Sequence, residues 1–206
     1  MKKQNTQKAL LIFTRNPELG KVKTRLATTI GDAAALKVYQ KLLEHTVDIT
    51  QPLKVDKFVF YSEQIQENDH WDTTIYSKEL QKGVDLGERM HHAFELLFKK
   101  GYRQIVIIGS DIFELTTKNI QEAFTGLDTA NFVVGPALDG GYYLLGMNTL
   151  NKSLFEHKKW GTSTVLKATL KNLAHEKVAL LATKNDIDTY DDLKKSGEFN
   201  QFLMTS

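Results

Sequence analysis

The sequence lacks cysteine, long apolar runs and a marked excess of either charge among its 206 residues. The absence of cysteine excludes disulfides and metal sites built on thiolates, and it fits a reducing compartment. With 27 basic against 25 acidic residues and a net charge of +2, the chain has no general attraction for nucleic acids or membranes. Any anion-binding site must therefore be local.

No segment approaches the roughly 20 apolar residues that are needed to span a bilayer. The apolar run nearest the N-terminus covers only residues 9–13, which is too short for the core of a secretory signal. A hydrophobic content of 41% and a charged content of 25% are ordinary for a globular protein. We therefore expect one cytoplasmic domain over residues 1–206, with no membrane or nucleic-acid partner.

Strands and helices alternate along the chain, and the early strands are continuous apolar runs. This pattern predicts an α/β fold with a mainly parallel sheet covered by helices on both faces. A short glycine-rich link joins two strands without a helix, so part of the sheet is expected to be antiparallel. The predicted strands are residues 9–13, 58–61, a short one near 75, 105–108, 132–134, 142–145 and 178–181. The predicted helices are residues 32–50, about 86–101, 116–124, 162–173 and one that begins at 189.

The first candidate loop is NPELGKVKTRL at residues 16–26, directly after the first strand. Ligands of open parallel sheets lie beyond the carboxyl ends of the strands, which is where this loop falls. It places Lys21, Lys23 and Arg25 next to Gly20, and cations on such a tight path can bind phosphate oxygens. The loop matches neither the P-loop nor the GxGxxG pattern, and a solvated basic loop is the alternative interpretation.

The second candidate is Asp111, in IVIIGSDIFEL at residues 105–115. It follows the most apolar strand of the chain, so its carboxylate is expected at the edge of the sheet. A hydrated Mg²⁺ or Mn²⁺ that also binds phosphates is a natural partner for it. The alternative is that Asp111 caps the next helix, although Thr116 and Thr117 lie closer to that helix.

Two more loops carry acidic residues. Asp139 and Gly140 form a hairpin signal, which explains Gly141 less well, and the two glycines also leave room for a ligand beside the backbone. Asp186 and Asp188 stand two residues apart, so in an extended segment both would face one side, toward the same sheet edge. Capping of the last helix is the alternative explanation of this acidic cluster.

Arg89 is a weaker candidate. It lies on the first predicted turn of the second long helix, after Gly83 and Gly87, and could reach a phosphate from there. The alternative is an ordinary loop in which Asp85 caps the helix.

Six segments in order resemble a known family: LIFTRNPELGKVKTRL, QKGVDLGERM, IIGSDIFEL, VVGPALDGGYYLLGM, WGTSTVL and DIDTYDDL. They resemble the glycosyltransferase-like family sometimes labelled radical-SAM/selenodomain-associated transferase. That family is similar to the molybdenum-cofactor guanylyltransferases and phospholactate guanylyltransferase. The resemblance covers about residues 9–195 and implies a single nucleotide-diphospho-sugar transferase (GT-A) domain.

The resemblance also implies roles for individual residues. Gly20, Lys21, Lys23 and Arg25 would bind the phosphates of the nucleotide. Asp111 and Asp188 would hold a Mg²⁺ or Mn²⁺ ion. Asp139 and Gly140 would border the acceptor pocket. Gly140 and Gly141, with Arg89, are further candidates for binding the nucleotide, and for a sugar transferase Asp139 becomes a candidate base.

These features predict a metal-dependent nucleotidyltransferase or sugar transferase, with an NTP or nucleotide-sugar donor and a small-molecule acceptor. In that reading Lys23, Arg25, Asp111 and Asp139 are the catalytic candidates. The family usually has a proline shortly after the GSD aspartate, where Ile112 and Phe113 stand in this sequence. This difference motivates the alternative of a nucleotide-binding protein without turnover.

Overall fold

The protein was analysed as a computed structural model, which describes residues 7–202. The basic N-terminal residues 1–6, which contribute to the targeting prediction, lie outside the described residues. Within residues 7–202, no helix is both long enough and apolar enough to cross a membrane.

One mixed sheet of seven strands organises the fold, in the order β3-β2-β1-β4-β6-β5-β7. Only β6 runs against its neighbours β4 and β5, and the other paired strands are parallel. The antiparallel link between the fifth and sixth strands was expected from the sequence. The strands are Lys8–Thr14 (β1), Asp56–Tyr61 (β2), Tyr76–Leu80 (β3), Gln104–Gly109 (β4), Phe132–Pro136 (β5), Tyr142–Met147 (β6) and Val178–Leu180 (β7).

Helices cover both faces of the sheet. They are Thr24–Ile30 (α1), Asp32–Thr50 (α2), Leu86–Lys99 (α3), Thr117–Leu127 (α4), Val165–Asn172 (α5) and Tyr190–Ser196 (α6), with short 3₁₀ turns at Lys152–Leu154 and Asn200–Phe202. Because side chains alternate along a strand, Leu10 and Ile12 pack with α2 and α4, whereas Ala9 and Leu11 pack with α3. Burial on both sides explains why the central strands are solid apolar runs.

A third apolar cluster joins α1, α2 and α6 beside the sheet. Leu26, Leu42 and Leu193 are its central residues, and Ile187 packs against them from the loop after β7. This cluster holds the loop after β7 next to the loop after β1. The predicted residues of two candidate loops are therefore brought to one edge by ordinary apolar packing.

The predicted element boundaries differ from the structure in several places. Helix α1 was missed, because TRLATTI carries two β-branched threonines in a row and only one fully buried apolar residue, Leu26. Helix α2 begins at Asp32 as predicted, with Gly31 as its N-cap, whereas α5 begins at Val165, three residues later than predicted. The strand expected near residue 75 is β3, and it is longer than predicted.

Candidate functional site

The carboxyl ends of β1 and β4 lie side by side at the centre of the sheet. Phe13 is paired with Gly109 in the parallel register, so the loops that follow the two strands start next to each other. The hydroxyl of Tyr39, on α2, ties them together. It accepts a hydrogen bond from the backbone N–H of Arg15 at 2.9 Å and lies 3.2 Å from Ser110 Oγ.

Lys23 and Asp111 form an ion pair between these two loops. Lys23 Nζ donates to Asp111 Oδ2 at 2.9 Å, across 88 residues of sequence. The Lys23 side chain is 4% exposed and that of Asp111 is 38% exposed, so the pair opens to solvent on the carboxylate side. Burial would lower the pKa of Lys23, but the carboxylates of Asp111, Asp188 and Asp186 together raise it. Burial would likewise raise the pKa of Asp111, and the Lys23 ammonium holds it below its usual value.

The backbone of Lys23 is left-handed, with φ 48° and ψ 44°. For a residue with a Cβ this conformation costs about 1–2 kcal/mol, and such strain is concentrated at functional sites. The structure therefore holds the ammonium against Asp111 at a conformational cost. Gly109 contributes to the same arrangement, because a Cβ there would stand 2.9 Å from Asp111 Oδ1.

Asp186 lies close enough to the ion pair to respond to its charges. Burial, followed by the nearby carboxylate of Asp111, raises the pKa of Asp186 to about 6, and Asp139 adds to the effect. The buried Ile187 separates Asp186 from Asp188, so the two aspartates face the same side of the segment. The alternation that the sequence suggested for this loop is present.

The other two lysine and arginine candidates of the first loop are also paired with carboxylates. Arg25 Nη1 lies 3.0 Å from Asp188 Oδ2, at the surface. Lys21 Nζ lies 2.7 Å from Glu18 and 3.5 Å from Glu63, and its side chain is 56% exposed. Lys21 is therefore directed toward the loop after β2, whereas Lys23 is directed toward Asp111.

Asp139 and the glycines after it form the turn between β5 and β6. Asp139 Oδ1 accepts a hydrogen bond from the backbone N–H of Gly141 at 2.8 Å. Gly140 has φ 87°, and a Cβ there would stand 2.4 Å from the carbonyl oxygen of Ser163. Gly140 thus lets the turn pack against the backbone that leads into α5, and it does not leave open space for a ligand.

Arg89 lies on the first turn of α3, with its Nε donating to the carbonyl of Gly83 at 3.1 Å. Asp85 is the N-cap of this helix and accepts from the N–H of Glu88. The capping interpretation of this loop is therefore correct, and the phosphate contact of Arg89 stays a prediction.

Asp111 does not cap α4. Thr116 is the N-cap, in a capping box with Asn119. Of the two residues that follow Asp111, Ile112 is buried in the core, and the ring of Phe113 lies 4.7 Å from His45 and 5.0 Å from Phe199. Apolar packing therefore anchors the loop in the stretch where the resemblance implied a proline.

Two cavities meet at this edge of the sheet, and Asp139 and Asp186 line both. The first, of about 250 Å³, lies between the ends of β1 and β4, the start of β6 and the N-terminal ends of α3 and α5. The second, of about 800 Å³, lies between the loop after β4 and α6, and includes Arg25 and Asp188. The structure thus brings Lys23, Asp111, Asp139 and Asp186 together, whereas Arg89 lines neither cavity.

Two residues at this edge were not assigned a role from the sequence. Arg15 is exposed at the end of β1, and its guanidinium is close enough to help hold the pKa of Asp111 down. Within residues 7–202 that guanidinium forms no ion pair or hydrogen bond. The signal in the sequence for Arg15 was its position directly after a buried strand. The second residue is Asp186, and its signal was the spacing of two residues from Asp188.

A divalent cation suits this set of residues only if a ligand completes its shell. Within the described part of the chain, no group of three or more histidine, aspartate or glutamate side chains could hold a metal ion. Mg²⁺ usually takes one or two protein carboxylates and completes its shell with water and substrate phosphates. Asp111 and Asp186 meet that requirement, and a shared cation would relieve the repulsion that raises the pKa of Asp186. Asp188, which the resemblance implied as a ligand, is paired with Arg25 at 3.0 Å, and its role as a ligand stays a prediction.

The sheet order and the cleft at its edge define a protein of the nucleotide-diphospho-sugar transferase (GT-A) fold. A crystal structure from Desulfovibrio desulfuricans, assigned as a nucleotide-diphospho-sugar transferase, is 30% identical over 98% of this chain and 92% of that one, with a TM-score of 0.86. Residues 46–162 match the family described as "Uncharacterized protein conserved in bacteria" (DUF2064), and the chain belongs to this family. No curated protein matches it.

More distant structures share the fold alone. A cytidylyltransferase from Leptospira borgpetersenii is 14% identical, with a TM-score of 0.61 over 98% of this chain and 89% of that one. Rv0371C from Mycobacterium tuberculosis, solved in complex with manganese, is 13% identical, with a TM-score of 0.53 over 92% of this chain and 97% of that one. The structural relatives of this chain thus include proteins named as sugar-nucleotide and nucleotidyl transferases.

Proposed function

We propose that the protein is a divalent-metal-dependent transferase that uses an NTP or a nucleotide sugar as donor. The observation that carries this proposal is the Lys23–Asp111 ion pair at the carboxyl edge of the sheet, with Asp186 beside it. An ordinary surface ion pair would not need a buried lysine in a left-handed backbone. The resemblance of the named relatives supports the reaction class.

The cations would bind the phosphates of the donor. The Arg15 guanidinium forms no hydrogen bond or ion pair within residues 7–202 and interacts with Asp111 only through its charge, and Lys23 and Arg25 can exchange their carboxylate partners for phosphate oxygens. Arginine is well suited to this because its guanidinium matches the geometry of phosphate. Charge that develops on the leaving group would be stabilised by groups already in position, which is the main source of catalysis in such reactions.

Asp139 would take the proton of the acceptor. Its Oδ1 is held by Gly141, which leaves Oδ2 to receive the proton. In nucleotidyl transfer the acceptor forms a bond to the α-phosphorus, the α–β anhydride breaks and pyrophosphate leaves. In sugar transfer the acceptor forms a bond to the anomeric carbon, the bond from that carbon to the phosphate oxygen breaks and a nucleoside diphosphate leaves.

Asp111 and Asp186 are the residues that would hold the metal. A divalent ion bound there would supply charge neutralisation for the donor phosphates. The metal ion would either displace Lys23 from Asp111 or bind that carboxylate together with Lys23.

Calorimetric titration with NTPs and nucleotide sugars, with Mg²⁺ and with EDTA, tests donor binding. Identification of the leaving group then separates the two reactions, because nucleotidyl transfer releases pyrophosphate and sugar transfer releases a nucleoside diphosphate. Arg15→Gln should weaken donor binding by about tenfold, the loss of one charged hydrogen bond to phosphate. Arg103→Gln is the matched control, because Arg103 is an exposed arginine at the opposite end of β4. Equal affinities of the two variants for every donor would contradict the proposal.

A nucleotide-binding protein without turnover is the second candidate. It is favoured by the Lys23 ammonium, which already neutralises Asp111 at 2.9 Å. Donor binding of equal strength in Mg²⁺ and in EDTA, with no product from any donor, would support this candidate over the transferase.

A further inference from the structure

The 250 Å³ cavity beside the ion pair has an apolar body and an acidic rim. Its apolar part is formed by side chains from β1, α3, the loop after β4, β6 and the segment before α5, which are Phe13, Met90, Ile112, Tyr142 and Trp160. Carboxylates of Asp111, Asp139 and Asp186 stand at its rim. Within residues 7–202, no lysine, arginine or histidine lines it.

The cations of the site lie on the other side of Asp111. Lys23 reaches that carboxylate from α1, and Arg25 lines only the larger cavity with Asp188. The phosphate-binding groups and the apolar cavity are thus separate regions that meet at the aspartates. A metal ion at Asp111 and Asp186 would be matched by the phosphates of the donor, which leaves no surplus positive charge for a second anion.

We infer that this cavity binds the acceptor, and that the acceptor is an uncharged or cationic molecule with an apolar ring or chain that attacks through a hydroxyl or an amine. A phosphorylated acceptor would meet the carboxylate of Asp139, which among the described residues has no cationic partner at the rim, and also that of Asp186 where no metal ion is bound. The Tyr142 hydroxyl adds a polar contact inside the cavity, since its partner in the structure is the weak acceptor Met90 Sδ at 3.8 Å. A volume of about 250 Å³ suits a single ring system.

The inference rests on the proposed transferase function but is tested by binding alone. The sequence has two tryptophans, Trp71 and Trp160. Trp71 is buried against Tyr76, so Trp71→Phe leaves Trp160, at the cavity, as the fluorescent reporter. Calorimetry on the unmodified protein gives the same affinities if that variant folds poorly.

Three probes share a phenyl group and differ in charge: 2-phenylethanol, phenethylamine and phenyl phosphate. In EDTA, where no metal ion is bound at the rim, we expect the alcohol and the amine to bind, and phenyl phosphate to bind at least about tenfold more weakly. Asp139→Asn keeps an oxygen for the Gly141 N–H and removes one charge. This variant should bind phenethylamine about fivefold more weakly than the unmodified protein does, while its affinity for 2-phenylethanol should be unchanged.

The inference is wrong if phenyl phosphate binds as tightly as the other probes, or if none of them binds to a protein that still binds a donor nucleotide. In both cases the proposed transferase function would stand. If the alcohol and the amine bind but no NTP or nucleotide sugar does, the cavity assignment holds and the proposed function fails.

Discussion

Replacement of Tyr39 by phenylalanine would test how the two central loops are held together. The Tyr39 hydroxyl is buried, accepts from the N–H of Arg15 at 2.9 Å and lies 3.2 Å from the hydroxyls of Thr14 and Ser110. The substitution removes one oxygen without changing the shape of the ring. It leaves the Arg15 N–H without this acceptor, which costs about 1–3 kcal/mol of the free energy of unfolding.

Urea denaturation of the two proteins measures this difference. For a chain of this size each kcal/mol corresponds to about 2–4 °C in Tm, so a thermal scan should agree. Tyr76→Phe is a matched control, because its partner Thr50 Oγ1 also bonds the Thr46 carbonyl at 2.7 Å and keeps a partner. We expect the control to lose about 1 kcal/mol or less. A loss below about 0.5 kcal/mol for Tyr39→Phe would refute the reasoning, since that is the range of neutral substitutions.

Three further predictions concern other parts of the fold. Gly140→Ala should lower the free energy of unfolding in urea by about 2–4 kcal/mol, because Gly140 has a φ of 87° and a Cβ there would stand 2.4 Å from the Ser163 carbonyl oxygen. Gly161→Ala is the control, since Gly161 also has a positive φ but faces open space, and it should lower the free energy of unfolding by about 1 kcal/mol. Equal losses for the two variants would contradict the steric clash at Gly140. Thr189→Ala removes the capping box of α6 and should cost about 1 kcal/mol in the same assay, and no change would show that the cap is dispensable. Burial raises the pKa of Tyr143 to about 12, so the folded state keeps its proton where the unfolded chain loses it. Stability should therefore fall as pH rises from about 10 toward 12, and Tm against pH should fall less steeply in Tyr143→Phe; an unchanged slope would refute this.

The sequence was sufficient to predict the sheet, because period and apolarity are local signals. The buried runs at β1 and β4 and the reversed β6 were identified from residue type alone. Helix α1 was not, since only Leu26 of its seven residues is fully buried and its packing depends on α2 and α6. The prediction of one domain over residues 1–206 stays a prediction.

The sequence predicted which loops form the candidate site, but not which side chains pair with each other within it. Strand order places the loops with Lys23 and Asp111 at one edge, so their convergence followed from topology. Which aspartate faces Asp111 depends on the packing of Ile187, which fixes the orientation of Asp186, and on the bond between Arg25 and Asp188. Such choices are made by tertiary contacts, and no local pattern encodes them.

A small irregularity in β6 sets the faces of the sheet on which its two tyrosines pack. Gly135 pairs with Leu144 but Pro136 pairs with Tyr142, so Tyr143 is an extra residue, a β-bulge. The bulge reverses the alternation, and Tyr142 packs on the α3 face although Leu144 packs on the α2 face. Deletion of Tyr143 would restore the regular alternation, leave Tyr142 on the α3 face and keep the pairing of residues 144–147, but it would remove one of the two tyrosine rings that line the 250 Å³ cavity. The ligand preference of the cleft could thus diverge among related chains through a single codon, with the scaffold unaltered.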